Sequence, residues 1–214
     1  YKGIKYNVLP AKDNYFFDVE ALKESLSSKT KLFSFVHTSN LDGHSNPAKE
    51  IVEICHDKGV KVMMDTAQSA PHQEVNVVDL DVDFAAVSAH KFCGPSGMGA
   101  LYGKFDELKD LIPTYVGGST VVNSTYKDYK LLPPPSCFEA GLQNYAGAIG
   151  SGAAAEYIMN IGRENIHKHE NKLNKLMTKE LSDVESLNLV GPSDVNQRGG
   201  IFSSKCMATS VGSQ

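Results

Sequence analysis

The 214-residue sequence predicts an α/β fold built on a mostly parallel sheet flanked by helices. Short apolar runs of strand length recur at KLFSFVH (31–37), VKVMMD (60–65) and DFAAVS (83–88). A segment of helical periodicity separates the first two, and alternation of this kind implies right-handed crossovers between parallel strands buried on both faces. Each run also ends abruptly in polar groups, at His37 to Asn40, Asp65 to Gln68 and Ser88 to Lys91. Ligands of parallel α/β sheets sit outside the carboxyl ends of the strands, so those endings mark one candidate edge.

The elements follow in order. Residues 4–9 (IKYNVL) read as a short strand closed by Pro10. Asp18 suits the N-cap of a helix over 19–27, with Val19, Leu22 and Leu26 on one face. After the strand at 31–37, Pro47 suits the first turn of a helix over 48–58 that carries Ile51, Val52 and Cys55 at helical spacing, and Gly59 follows as its stop. The stretch TAQSAPHQEVNVVDLDV reads as a loop with a short element, and GALYGK (99–104) as a fourth strand turning back antiparallel. Residues 113–137, with Gly117-Gly118 and three consecutive prolines, read as an extended loop region. Small residues over 146–155, together with Tyr157, Ile158 and Ile161, predict a closely packed helix. A polar helix over 163–182 is expected to turn Leu173, Leu176 and Leu181 inward. The chain opens on Tyr1 in what reads as a strand already under way, and after LNLVGP a new element begins at Gly199 and decays; truncation at both ends is the expectation.

Composition removes several classes of function. Lys and Arg number 21 against 25 Asp and Glu, a net charge of −4, so no basic field argues for nucleic acid. No apolar run approaches the ~20 residues that span a bilayer, and YKGIKYNVLP does not read as a signal peptide. The cysteines, Cys55, Cys93, Cys137 and Cys206, form no C-x-x-C pair. They read as free thiols of a reducing cytoplasm, with little support for a zinc or redox motif.

Lys91 carries the chemical question. An ammonium at the exit of a buried strand is paired, exposed by its turn, or chemically used. A lysine amine forms a Schiff base with an aldehyde. Pyridoxal 5′-phosphate (PLP) needs such a lysine, a carboxylate at its ring nitrogen and donors for its phosphate. Asp65 would favour the pyridinium by opposite charge. Gln68 could donate to the phenolate oxygen, and Ser88 and His90 could bind the phosphate.

The segments HTSNLDGHSNP (37–47), VMMDTAQSAPH (62–72), DFAAVSAHKFCGPSGMGALY (83–102) and FEAGLQN (138–144) resemble the fold-type I, class V aminotransferase family. The resemblance runs in particular to its cysteine desulfurase branch, which includes SufS-type and selenocysteine lyase members. The Asp-x-Ala-Gln turn joined to Ser-x-His-Lys-x-x-Gly-Pro, with Asp65 and Lys91 26 residues apart, is the specific part of the match. It implies that Lys91 holds the cofactor covalently and then acts as general base and acid, that Asp65 pairs with the pyridine nitrogen, and that Gln68 bonds the phenolate oxygen. Ser88 and His90 would hold the phosphate, and Asn40 would lie near the phenolate oxygen and the substrate carboxylate.

The same resemblance implies a large cofactor-binding domain over residues 1–185 and the start of a small domain over 186–214. It implies a cytoplasmic homodimer with sites at the interface, L-cysteine as substrate, alanine and an enzyme persulfide as products, and a sulfur-acceptor protein in iron–sulfur cluster assembly. It places the ring-stacking residue before Tyr1, and the nucleophilic cysteine and the carboxylate-binding arginine beyond residue 214. Leu142 departs from the family pattern, which has a phosphate-binding threonine there. Selenocysteine lyase, epimerase or kynureninase-like chemistry stays open, as does a catalytically incompetent binding or dimerisation module of the same fold. Among the remaining candidates, Cys93 reads as a packing residue, His37 as a structural ring bonded to backbone near the Asn40 turn, and His44 and His72 as loop residues. His167 and His169 read as part of a solvated face.

Overall fold

The central sheet places β1 (Leu32–Val36), β2 (Lys61–Asp65), β3 (Phe84–Ser88) and β4 (Gly99–Gly103) side by side in that order. The first three run parallel and the fourth returns antiparallel to β3. This is a computed structural model, and it describes residues 3–12 and 16–206. The expected α/β class, with its mostly parallel sheet, is what it shows.

Helix α1 (Val19–Ser25) starts where Asp18 accepts from the amides of Glu20 and Ala21, both at 3.1 Å, as an N-cap should. Helix α2 (Ala48–Asp57) crosses from β1 to β2 and buries Ala48, Ile51, Val52 and Cys55. They meet Phe35, Val62, Met64 and Ala85 of the sheet and Leu22 of α1 in one core. Leu22, Ile51, Val62 and Met64 are fully buried, and each contributes about 1.5–3 kcal/mol of burial free energy. The short α3 (Val77–Leu80), capped by Asn76, links β2 to β3, and α4 (Phe105–Lys109) follows β4.

Several expectations are corrected. Residues 4–9 form no strand; Ile4, Tyr6 and Val8 are all exposed. Alternation alone does not make a strand, because a strand needs a neighbour to complete its ladder. The region 113–137 contains a hairpin of β5 (Val121–Ser124) and β6 (Tyr129–Leu131), so it is not loop alone. Helix α5 (Tyr145–Ile161) buries only Gly147, Ala154 and Ile158, and leaves Tyr145, Ile149 and Tyr157 exposed.

In α6 (Arg163–Leu181) the inward residue is Asn174, while Leu173 and Leu176 are about half exposed at 47% and 54%. Asn174 Nδ2 donates to Gly199 O at 3.0 Å. The helix is turned by that bond and by Arg198, whose guanidinium donates to Thr178 Oγ1 at 2.8 Å. These two hydrogen bonds turn Asn174 inward in place of the leucines. A third sheet, two-stranded, of β7 (Leu187–Val190) and β8 (Ser203–Cys206) follows α6. It is tied back to the loop after β1: Gly199 N donates to Gly43 O at 2.8 Å, and Ser203 Oγ donates to Leu41 O. No helix among the described residues is long and apolar enough to cross a membrane.

Candidate active site

Sheet register brings the strand ends together. Asp65 pairs with Val36 on one side and Ala86 on the other, so β1 and β2 exit level and β3 runs two residues further along the same edge. Backbone bonds stitch that edge: His37 N donates to Asp65 O at 2.8 Å, and Thr66 N to Ala86 O at 2.9 Å. Thr66 Oγ1 reinforces the second bond at 2.7 Å. Asp65 is exposed there, and its Oδ1 accepts from Ala67 N at 2.8 Å. That contact closes a turn, with Ala70 N donating to Thr66 O at 2.9 Å, and no helix follows. Gln68 sits half-buried in the same turn.

Beyond Ser88 the chain enters a 3-10 turn over Ala89–Phe92. Ala89 is buried, and its amide donates to Met98 O at 2.9 Å, which fixes the base of the turn to the start of β4. Gly94 N returns to Ala89 O at 2.8 Å, and a Cβ at Gly94 would sit only 2.8 Å from that oxygen. Glycine is therefore required by close backbone approach. Lys91 stands on this turn, half-buried, and its Nζ makes no hydrogen bond or ion pair among the described residues. His90 is exposed beside it and Ser88 is half-buried. Cys93 is not a packing residue: it is exposed, and it takes the left-handed conformation that ends the turn, at φ 68°.

Asn40 lies exposed in the turn after β1, which Gly43 N to Ser39 O (3.0 Å) and Ser39 N to His44 O (2.9 Å) hold in shape. Asn40, Asp65, Gln68, Ser88, His90 and Lys91 thus all fall on the same edge of one sheet. His37 differs from expectation. Its Nδ1 is buried without a partner among the described residues rather than bonded to backbone, and burial lowers its pKa.

Contacts that sequence reasoning missed lie behind this edge. His72 is not a free loop residue: its Nδ1 donates to Glu170 Oε1 at 2.6 Å. Arg163 Nε donates to Ala70 O at 3.1 Å, and Gln73 Nε2 to Thr38 Oγ1 at 3.1 Å. His72 and Glu170 are 98 positions apart, and no local pattern announces a pair so distant.

A model of the family described as aminotransferase class-V matches residues 1–210. The chain belongs to the class-V aminotransferase family. Within it, a cysteine desulfurase of Haloferax volcanii is 38% identical over 201 residues, 94% of this chain and 47% of that protein. One from Dickeya dadantii is 39% identical over 207 residues, 94% of this chain and 48% of its own length. The apo structure of a cysteine desulfurase from Thermococcus onnurineus superposes with a TM-score of 0.91 at 34% identity, over 97% of this chain and 52% of that one. The cysteine desulfurase CsdA from Escherichia coli gives 0.88 at 28% identity, over 94% and 49%. This class-V chain spans about half the length of the relatives it matches, and its fold is theirs.

Proposed function

We propose that this chain is the cofactor-holding half of a PLP-dependent cysteine desulfurase. The observation that carries the reading is Lys91: an amine without any polar partner among the described residues, on a turn rigidly braced from β4, at the sheet edge that also bears Asp65. The similarity to cysteine desulfurases supports the substrate.

The donor set fits PLP. Lys91 offers a free amine to the aldehyde, Asp65 a carboxylate to the pyridinium, and Gln68 an amide N–H to the phenolate oxygen. Ser88 and His90 offer a hydroxyl and an imidazole to the phosphate, and Asn40 an amide to the substrate carboxylate. When bound, PLP supplies an electron sink for bonds at the substrate's α-carbon and beyond. Ala67 N holds one oxygen of Asp65 at 2.8 Å, which orients the carboxylate. Lys91 Nζ would take the proton from the substrate α-carbon as general base and return one as general acid. In this reading L-cysteine gives up its sulfur to a cysteine thiol that the resemblance places beyond residue 214, with alanine and an enzyme persulfide as products. Residues 1–185 then form part of the large domain and 186–214 begin the small one, a division supported by the separate β7–β8 sheet. The working protein is a cytoplasmic homodimer that passes sulfur to an acceptor protein.

The test is spectroscopic. PLP added to the purified protein is expected to give a visible absorbance band that Lys91→Ala abolishes. A band that survives Lys91→Ala, or no band at all, would refute the cofactor reading. In the full-length protein, alanine released from L-cysteine is the expected product; turnover of selenocysteine alone would favour the lyase instead.

A further inference from the structure

The bond between His72 Nδ1 and Glu170 Oε1 is well shielded, with side-chain exposures of 30% and 20%. Glu170 Oε2 is buried and has no hydrogen-bond partner among the described residues. The backbone at Gly200 crowds the carboxylate so closely that a Cβ there would lie 2.8 Å from it. Leaving a carboxylate oxygen buried and unpaired costs free energy. Glu170 is therefore held in place rather than resting on a solvated face, and what it holds is His72.

His72 closes the turn 66–73 that begins at Asp65, and Arg163 Nε fixes the same turn at Ala70 O. Both anchors come from α6, Arg163 at its first residue and Glu170 two turns on. Gln68 lies between Asp65 and these anchors, lining one narrow crevice with His72, His167 and Gly200. The same helix grips Gly199 through Asn174 at 3.0 Å, so α6 joins the turn bearing Gln68 to the segment that leads into β8.

We infer that Glu170 is a positioning residue: through His72 it locks the 66–73 turn so that Gln68 is presented at the strand edge beside Asp65. The inference rests on the reading of Gln68 as the donor to the cofactor's ring oxygen. The physical reason is preorganisation. A donor on a loose turn loses orientation entropy each time it engages, and a supporting bond behind it removes that cost.

The experiment follows the pH midpoint of the bound cofactor's visible band, with thermal melting as a fold control. A donor to an oxyanion favours its charged form, so Gln68→Ala is expected to move the midpoint upward by about half a pH unit or more. Glu170→Ala is expected to move it the same way in the parent protein and not at all in the Gln68→Ala background. Glu170→Gln keeps an acceptor oxygen for His72 and is expected to restore the parental midpoint. Equal shifts in both backgrounds, or lowered melting with an unmoved midpoint, would overturn the positioning role while leaving the cofactor reading intact. A Lys91-dependent band indifferent to Gln68→Ala would remove the role of Gln68 and this inference with it. Should Glu170→Ala fail to fold, His72→Asn is put through the same pair of backgrounds, with the same outcomes deciding.

Discussion

Asp83 Oδ2, buried at the head of β3, accepts from His56 Nε2 at 2.8 Å and so ties helix α2 to the strand that leads to Lys91. The same carboxylate takes the amide of Val62 at 2.7 Å and, through Oδ1, Lys104 Nζ at 3.2 Å. One side chain thereby joins α2, β2, β3 and the exit of β4 at the end of the sheet opposite the candidate site. Removing one partner of a buried pair strands the others, so Asp83→Ala is expected to cost about 3–5 kcal/mol. Urea unfolding at neutral pH measures it.

The same carboxylate gives the fold an acid limit. Burial is the largest single influence and would raise the Asp83 pKa, but the bonds from His56, the Val62 amide and Lys104 outweigh it and hold the value below normal. The stability that Asp83 contributes is then fully present above the unfolded carboxyl value of about 3.9, and is lost as pH falls through the lower folded one. Melting temperature against pH is expected to show Asp83→Asn far below the parent at pH 7, with the gap closing below about pH 4. A gap that stays constant down to pH 2 would contradict this.

Asp65→Asn preserves shape, including an oxygen for the Ala67 amide, and removes only charge. If Asp65 stabilises a protonated ring nitrogen, turnover by the full-length protein is expected to fall about 100-fold or more, the size seen when one preorganised electrostatic partner is lost. Cofactor retention, followed by its absorbance, is expected to change far less.

Gly94→Ala tests the turn beneath Lys91. A Cβ 2.8 Å from Ala89 O must push on backbone rather than on a flexible side chain. The expected result is a loss of about 1–3 kcal/mol in stability, together with weakened cofactor binding in titration. An equally tight complex would show that the turn relaxes without moving Lys91.

Leu142 is 91% exposed, at the position where the family pattern has a threonine for the neighbouring subunit's phosphate. Leu142→Thr is expected to tighten PLP binding about threefold to tenfold, the gain of one hydrogen bond. If the proposed homodimer forms, the gain should grow with protein concentration and vanish on dilution; a gain independent of concentration would place the contact within one chain.

Much of this was legible in one dimension because the signals are local. The strands at 31–37, 60–65 and 83–88, the Asp18 cap and the antiparallel return at 99–104 each depend on residues a few positions apart, and they stand within a residue or two of expectation. The placement of Asn40, Asp65, Gln68, Ser88, His90 and Lys91 along one sheet edge was legible for the same reason, since each closes or follows an apolar run. The failures share the opposite property. Residues 4–9 alternate correctly and still form no strand, because strand formation depends on a partner elsewhere. Leu173 and Leu176 have the right spacing and point outward, because Asn174 and Thr178 are claimed by Gly199 and Arg198 from beyond the helix.

The amino-acid order by itself determined the elements and the kinds of chemical group that end each strand, since propensity, capping and turn chemistry act within a few residues. Only the tertiary structure decided what stands behind those groups. Register set Asp65 level between Val36 and Ala86, and packing carried Glu170 across 98 positions to His72. Contacts of that range form when helices and strands close on a common core, and no local pattern encodes which distant side chain will be waiting there.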